Sequence, residues 1–121
     1  MDNLQSGDLT IEVATGADGV CRCTWRGKSN DRNPPEILKP WFDKLLASAT
    51  ETKGTIEMHF EKIDHFNSST ITALIRLIQS CRKSGLRLVM VYDQTLKWQR
   101  LSFDALRVFE KNDDLFQLRF A

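Results

Sequence analysis

The chain reads as a single α/β domain built on a mixed sheet. Two kinds of segment predict this: stretches that alternate apolar and polar residues with a period of two, and stretches whose apolar residues recur at helical spacing. A third observation is their order, since after an opening pair of strands the two kinds follow one another regularly, as strand–helix–strand crossovers require. The 121 residues, 41% hydrophobic, are a natural size for one domain with one core.

Taken in order, Leu9-Thr10-Ile11-Glu12-Val13 alternates, Gly16-Ala17-Asp18-Gly19 is turn material, and Val20-Cys21-Arg22-Cys23-Thr24-Trp25 alternates again, which predicts a β-hairpin. After the polar stretch 27–32, Asn33 is positioned to cap a helix. Its first residues are Pro34 and Pro35, and its stripe is Ile37, Leu38, Trp41, Phe42, Leu45 and Leu46. Pro40 lies within that stripe and lacks a backbone donor, so either a kink or a true helix start is expected near it. Residues 55–63 alternate as one further strand, with Ile56, Met58 and Phe60 on one face and His59 with the charges on the other. The segment 64–70 leads into a second helix with Ile71, Leu74, Ile75, Ile78 and Cys81 on one face, ending at Gly85. Residues 86–92 read as a buried parallel strand. Thr95 offers an N-cap for a third helix carrying Leu96, Leu101, Leu106, Val108 and Phe109, and Asp113-Asp114 turns the chain into a last strand over 115–120. The predicted order is ββαβαβαβ, with 1–8 a flexible N-terminus and 9–121 the domain.

Composition narrows the function. Seventeen basic and sixteen acidic residues are interspersed, without the one-sided field that binds nucleic acid or anionic lipid. The first residues lack the basic and apolar pattern of a targeting segment, and no run approaches the roughly 20 apolar residues that span a bilayer, so a cytoplasmic protein is expected. Cys21, Cys23 and Cys81 read as reduced, small hydrophobes, too few in ligand company for a metal site. Asp64, His65 and Ser68 or Ser69 bring an acid, a base and hydroxyls together. Yet there is no Gly-x-Ser-x-Gly elbow, dinucleotide fingerprint or Walker-type loop, so neither an enzyme nor a cofactor is expected.

The suggestive chemistry is Asn67-Ser68-Ser69-Thr70 at a helix head. Unpaired N–H groups and the positive end of the helix dipole accommodate an added phosphate there at a gain of about 0.3–1 kcal/mol. Alternatively, the four residues serve as capping groups alone.

The stretch Ile63-Asp64-His65-Phe66-Asn67-Ser68-Ser69-Thr70-Ile71-Thr72-Ala73-Leu74 resembles the phosphorylation segment of STAS-domain anti-sigma factor antagonists of the SpoIIAA type. Asn67 stands where that family usually has aspartate and Thr70 where it has glycine, a form closer to the SiaC-type regulatory phosphoproteins. Gly27-Lys28-Ser29, Asn33-Pro34, and Trp41 with Phe42 also resemble that group, over roughly residues 9 to 120. The resemblance implies a STAS-like fold and an acceptor at Ser68, with Ser69 and then Thr70 as fallbacks. It further implies partner switching: a histidine-kinase-like serine/threonine kinase modifies the turn, a PP2C-type phosphatase reverses it, and the unmodified form binds a target. That target is a diguanylate cyclase in the SiaC branch or the anti-sigma factor in the other, and the loss of the Asp-Ser-Ser-Gly form favours the former. Asp64, His65, Asn67 and Ser69 are the docking residues beside the acceptor, joined by Lys97, Trp98 and Arg100 because neighbouring crossover helices lie side by side. The competing expectations are a constitutive protein- or ligand-binding module without phosphorylation, and an anti-sigma factor antagonist proper.

Overall fold

The computed structural model describes residues 1–30, 34–111 and 113–120. Three strands, β1 (Leu4–Ser6), β2 (Leu9–Thr15) and β3 (Cys21–Ser29), precede the helix α1 (Pro34–Thr52). Then come β4 (Ile56–His59), β5 (Ile63–Phe66), α2 (Ser68–Lys83), β6 (Leu88–Tyr92), α3 (Lys97–Asp104) with a 3-10 segment (Ala105–Phe109), and β7 (Phe116–Phe120). The sheet runs β1-β2-β3-β4-β6-β7, with β5 also paired to β3. The first three strands pair antiparallel and the remaining pairings are parallel, so the sheet is mixed, as expected.

The order departs from ββαβαβαβ at two places. Leu4–Ser6 forms a short extra strand on β2, a run of three residues too brief to show a period. The predicted single strand 55–63 is two strands. β4 pairs with Cys21 to Thr24 of β3, the chain turns at 60–63, where Ile63 N–H donates to Phe60 O, and β5 pairs with Gly27 to Ser29. Three residues read as part of a turn, 64–66, are thus in a strand. Helix α1 runs through Pro40, which excludes a helix start there, and Asn33 lies outside the described residues.

Side chains that pair directly across the strands share a face. Ile11, Trp25, Met58, Met90 and Leu118 belong to one face, and the helices bury their stripes against it in a single core. Trp25, Phe60, Tyr92 and Phe103 are almost fully buried, each worth about 2–3 kcal/mol. The opposite face carries Arg22 with Glu57 and Arg26 with Glu12 in ion pairs, and His59 between Glu57 and Glu61. Cys21, Cys23 and Cys81 are buried and unbridged, and burial pushes the Cys81 thiol up to about 12. Among the described residues no helix is long and apolar enough to cross a membrane.

Helix α2 ends as its glycine predicts. Gly85, at φ +70°, lets its own N–H reach Arg82 O while Leu86 N–H reaches Cys81 O at 2.8 Å, the two bonds of a Schellman turn. Arg82 then grips Asp113 with two bonds and Phe109 O with a third, tying this helix end to the start of β7.

The third helix differs from expectation. Leu96 rather than Thr95 is the N-cap residue, because the Thr95 hydroxyl and N–H both go to Asp93 Oδ1. Leu96, Leu101 and Val108 are exposed, Val108 at 76%, while Gln99, Phe103 and Leu106 are buried. The larger ring sets the phase: Phe103 stacks on Tyr92 at 5.1 Å and meets Phe60 and Phe66. The change to 3-10 geometry at Ala105 then breaks the 3.6-residue period that linked Leu101 to Val108.

Gly27 marks the register shift in β3. Its φ is +84°, and a Cβ there would lie 2.0 Å from Asp8 O, whereas a Cβ on Gly19, at φ +79°, meets nothing. Gly19→Ala should therefore cost only the backbone term of about 1–2 kcal/mol. Gly27→Ala should cost clearly more in urea unfolding; equal losses would show that the Asp8 approach is unimportant.

Candidate functional site

The head of α2 is assembled where parallel strands end, the edge of an α/β sheet at which loops gather. Asn67 N–H donates to Ser29 O at 3.1 Å, joining the end of β5 to the end of β3. Asn67 is the N-cap. Its Oδ1 accepts the Thr70 N–H at 2.9 Å and the Thr70 hydroxyl at 2.8 Å. Because that hydroxyl has one proton, Ser29 Oγ, 2.8 Å away, donates to it in turn. Ser29 is 3% exposed and Thr70 0%, so the bond between their hydroxyls is closed off from water, while Asn67 is half-buried.

The three adjacent hydroxyls have different surroundings. Ser68, the first helical residue, is exposed; Ser69 is half-buried; Thr70 is sealed. A phosphate on Thr70 would require the cap to open, whereas one on Ser68 would stand in solvent beside the free N–H groups of the first turn. No acidic residue lies in that turn to oppose it.

A second wall comes from α3. Trp98, half-buried, sets its ring edge-on to Phe66 at 5.1 Å and lies 6.3 Å from the ring of His65. Lys97 and Arg100 flank it, both exposed, and Asp64 and His65 are exposed on β5. The contacts of Trp98 with His65 and Phe66 link the segment that carries Asp64, Asn67, Ser68 and Ser69 to the start of α3.

Two residues that position this site gave no signal of it in the sequence. Ser29 falls in the stretch 27–32 that reads as polar linker: it keeps the period-two phase of Cys21, Cys23 and Trp25, but a serine among polar neighbours does not read as an inward position. Gln99 is fully buried: its amide donates to Phe60 O at 2.7 Å and Ile63 O at 3.3 Å, and its Oε1 accepts Asp93 N–H at 2.8 Å. Its spacing of four from Phe103 is the available clue, and it requires Phe103 to be chosen as the anchor.

No group of three or more metal-ligating side chains occurs among the described residues. No protein-family model matches the chain, and no curated protein matches it.

Thr70→Val keeps the shape but deprives the buried Ser29 hydroxyl of its partner, so it should cost about 1–3 kcal/mol in urea unfolding. Ser68→Ala, at an exposed position, should stay within about 0.5 kcal/mol of the unmodified protein. A comparable loss in both would show that the cap does not depend on Thr70. Asp93, which takes both bonds from Thr95, has its carboxyl held below the ordinary range by those bonds. Its contribution is complete above the ordinary carboxylate pKa of about 4 and is lost as the pH falls through the depressed folded value. Asp93→Asn should therefore lower the thermal midpoint more at pH 7 than at pH 3; an equal deficit at both would assign the effect to packing.

Proposed function

We propose that this chain is a STAS-like regulatory protein of the SiaC kind, without catalytic activity of its own, that acts by partner switching in the cytoplasm. Its switch is reversible phosphorylation of Ser68 by a histidine-kinase-like serine/threonine kinase, undone by a PP2C-type phosphatase. The unmodified form binds the downstream effector, a diguanylate cyclase on the resemblance of the turn. The supporting observation is the exposed Ser68 hydroxyl at the positive end of a 16-residue helix, directly beside a half-buried cap, Asn67, whose partner Thr70 is fully buried. Adding roughly −1.5 to −2 charges there changes the surface a partner meets while sparing the hydrogen bonds that hold the fold. Asp64, His65, Asn67 and Ser69 surround the acceptor, and Lys97, Trp98 and Arg100 extend the docking face.

Incubation with ATP and lysate of the source cell, followed by peptide mass spectrometry, should find phosphate on Ser68 and none in Ser68→Ala. Ser68→Ala and Ser68→Asp should have opposite effects on capture of the effector, and alanine at both Lys97 and Arg100 should weaken that capture without lowering stability. Absence of phosphate, under conditions where a control substrate is modified, would favour a constitutive binding module on the same fold.

A further inference from the structure

Helices α1 and α2 enclose a cleft of about 350 Å³ that begins about a turn and a half along α2 from Ser68. Its floor is apolar, made by Phe42 and Leu46 from α1 and by Ala73 and Leu77 from α2. Its rim is basic. Lys39 is neutralised by Asp43 at 3.1 Å, but Arg76 and Lys83 have no ion-pair partner among the described residues. Arg76 is one residue before Leu77, and Lys83 is seven residues further along α2, so the two cations stand at separate points of the same helical rim.

We propose that this cleft binds a free amphiphile with one anionic group, of the fatty-acid kind, its chain on the apolar floor and its carboxylate at Arg76 or Lys83. The volume lies at the lower end of the range for small-molecule sites and is too small for a partner helix, whose docking buries a far longer surface. The charge selects the head group: a guanidinium receives a carboxylate in two parallel hydrogen bonds, while a cationic head would be repelled. The half-buried Ser80 hydroxyl adds a polar contact at the rim. The cleft shares no residue with the switch, so this inference does not depend on phosphorylation, and Ser68→Ala should bind the same ligand unchanged.

The test is calorimetric titration with dodecanoate below its micelle threshold, with amide NMR shifts to locate binding. We expect one saturable site with shifts at Leu46, Ala73 and Leu77, and binding of dodecyltrimethylammonium at least about tenfold weaker. Arg76→Glu with Lys83→Glu, both at exposed positions, should lower affinity for dodecanoate about tenfold with an unchanged circular dichroism spectrum. Ser80→Trp, which fills the cleft from its rim, should abolish binding. Absence of saturable binding, equal affinity for the cationic chain, or indifference to the double charge reversal would overturn the proposal. So would sedimentation with phosphatidylcholine–phosphatidylglycerol vesicles without uptake of free dodecanoate, which would assign the basic rim to a membrane surface.

Discussion

Two breaks at the same level of the sheet organise the end that carries the candidate site. β3 shifts register after Gly27, and its parallel neighbour stops at His59 and resumes at Ile63. The first break sets which residues of β5 meet the end of β3, His65 against Lys28 and Phe66 against Ser29. Without the second, the carbonyls of Phe60 and Ile63 would remain in a regular ladder and offer nothing to Gln99. Buried carbonyls must find a donor: Phe60 O takes the Ile63 N–H and the Gln99 amide, and Ile63 O takes the Gln99 amide as well. One irregularity thereby fixes both the exit of β5, which leads into α2, and the seating of α3 beside it. The aromatic rings pack around this junction: Phe60, Phe66 and Phe103 touch one another, and Trp98 closes the cluster toward the surface.

At the helix head, the division of labour among adjacent hydroxyls follows from helix geometry. The side chain of the third helical residue points back toward the cap, so Thr70 is placed to bond Asn67 and Ser29, whereas the first residue points outward. A switch needs this separation. If the modified hydroxyl also carried the cap, each modification would risk melting the helix, and its effect on a partner would be inseparable from partial unfolding. In the proposed switch, an exposed Ser68 would leave the fold insulated, with the orphan N–H groups of the first turn facing the added charge.

The alternating strands and the capped α2 were legible because each is long enough to show a period and ends on residues with one meaning, such as Gly85. The hairpin, the parallel crossovers and the exposed placement of residues at the head of α2 follow from that. What stayed hidden depends on phase and on residue type. Residues 63–66 are buried at both ends and exposed between, a pattern that a half-buried strand of period two does not show. Ser29 is in phase with Cys23 and Trp25, but its polar type hides an inward position. Leu101 and Val108 look like core residues by type, yet the sheet surface available to α3 is already filled by Phe103 and Leu106, and short helices have no second buried stripe. Polar residues that serve the interior, Gln99 above all, cannot be told from surface ones until the carbonyls they satisfy are known.

The sheet edges bear on where a partner can be met. β7 is an edge strand, and since Leu88 N–H bonds to Leu115 O, alternate residues beyond it turn their backbone outward, Leu118 among them. Its N–H is taken by Glu110 Oε2, while Glu110 Oε1 is held by Arg107, itself bonded to the Tyr92 hydroxyl. At the other edge β1 has only three residues, and beyond its end Asn3 Oδ1 accepts the Val13 N–H. A side chain thus occupies one backbone donor near each edge, at Leu118 and at Val13, which hinders edge-to-edge association there. Strand addition is therefore disfavoured at both ends of the sheet. The polar face carries its own ion pairs, so the helix heads and the groove between α1 and α2 are the surfaces on which the proposed recognition rests.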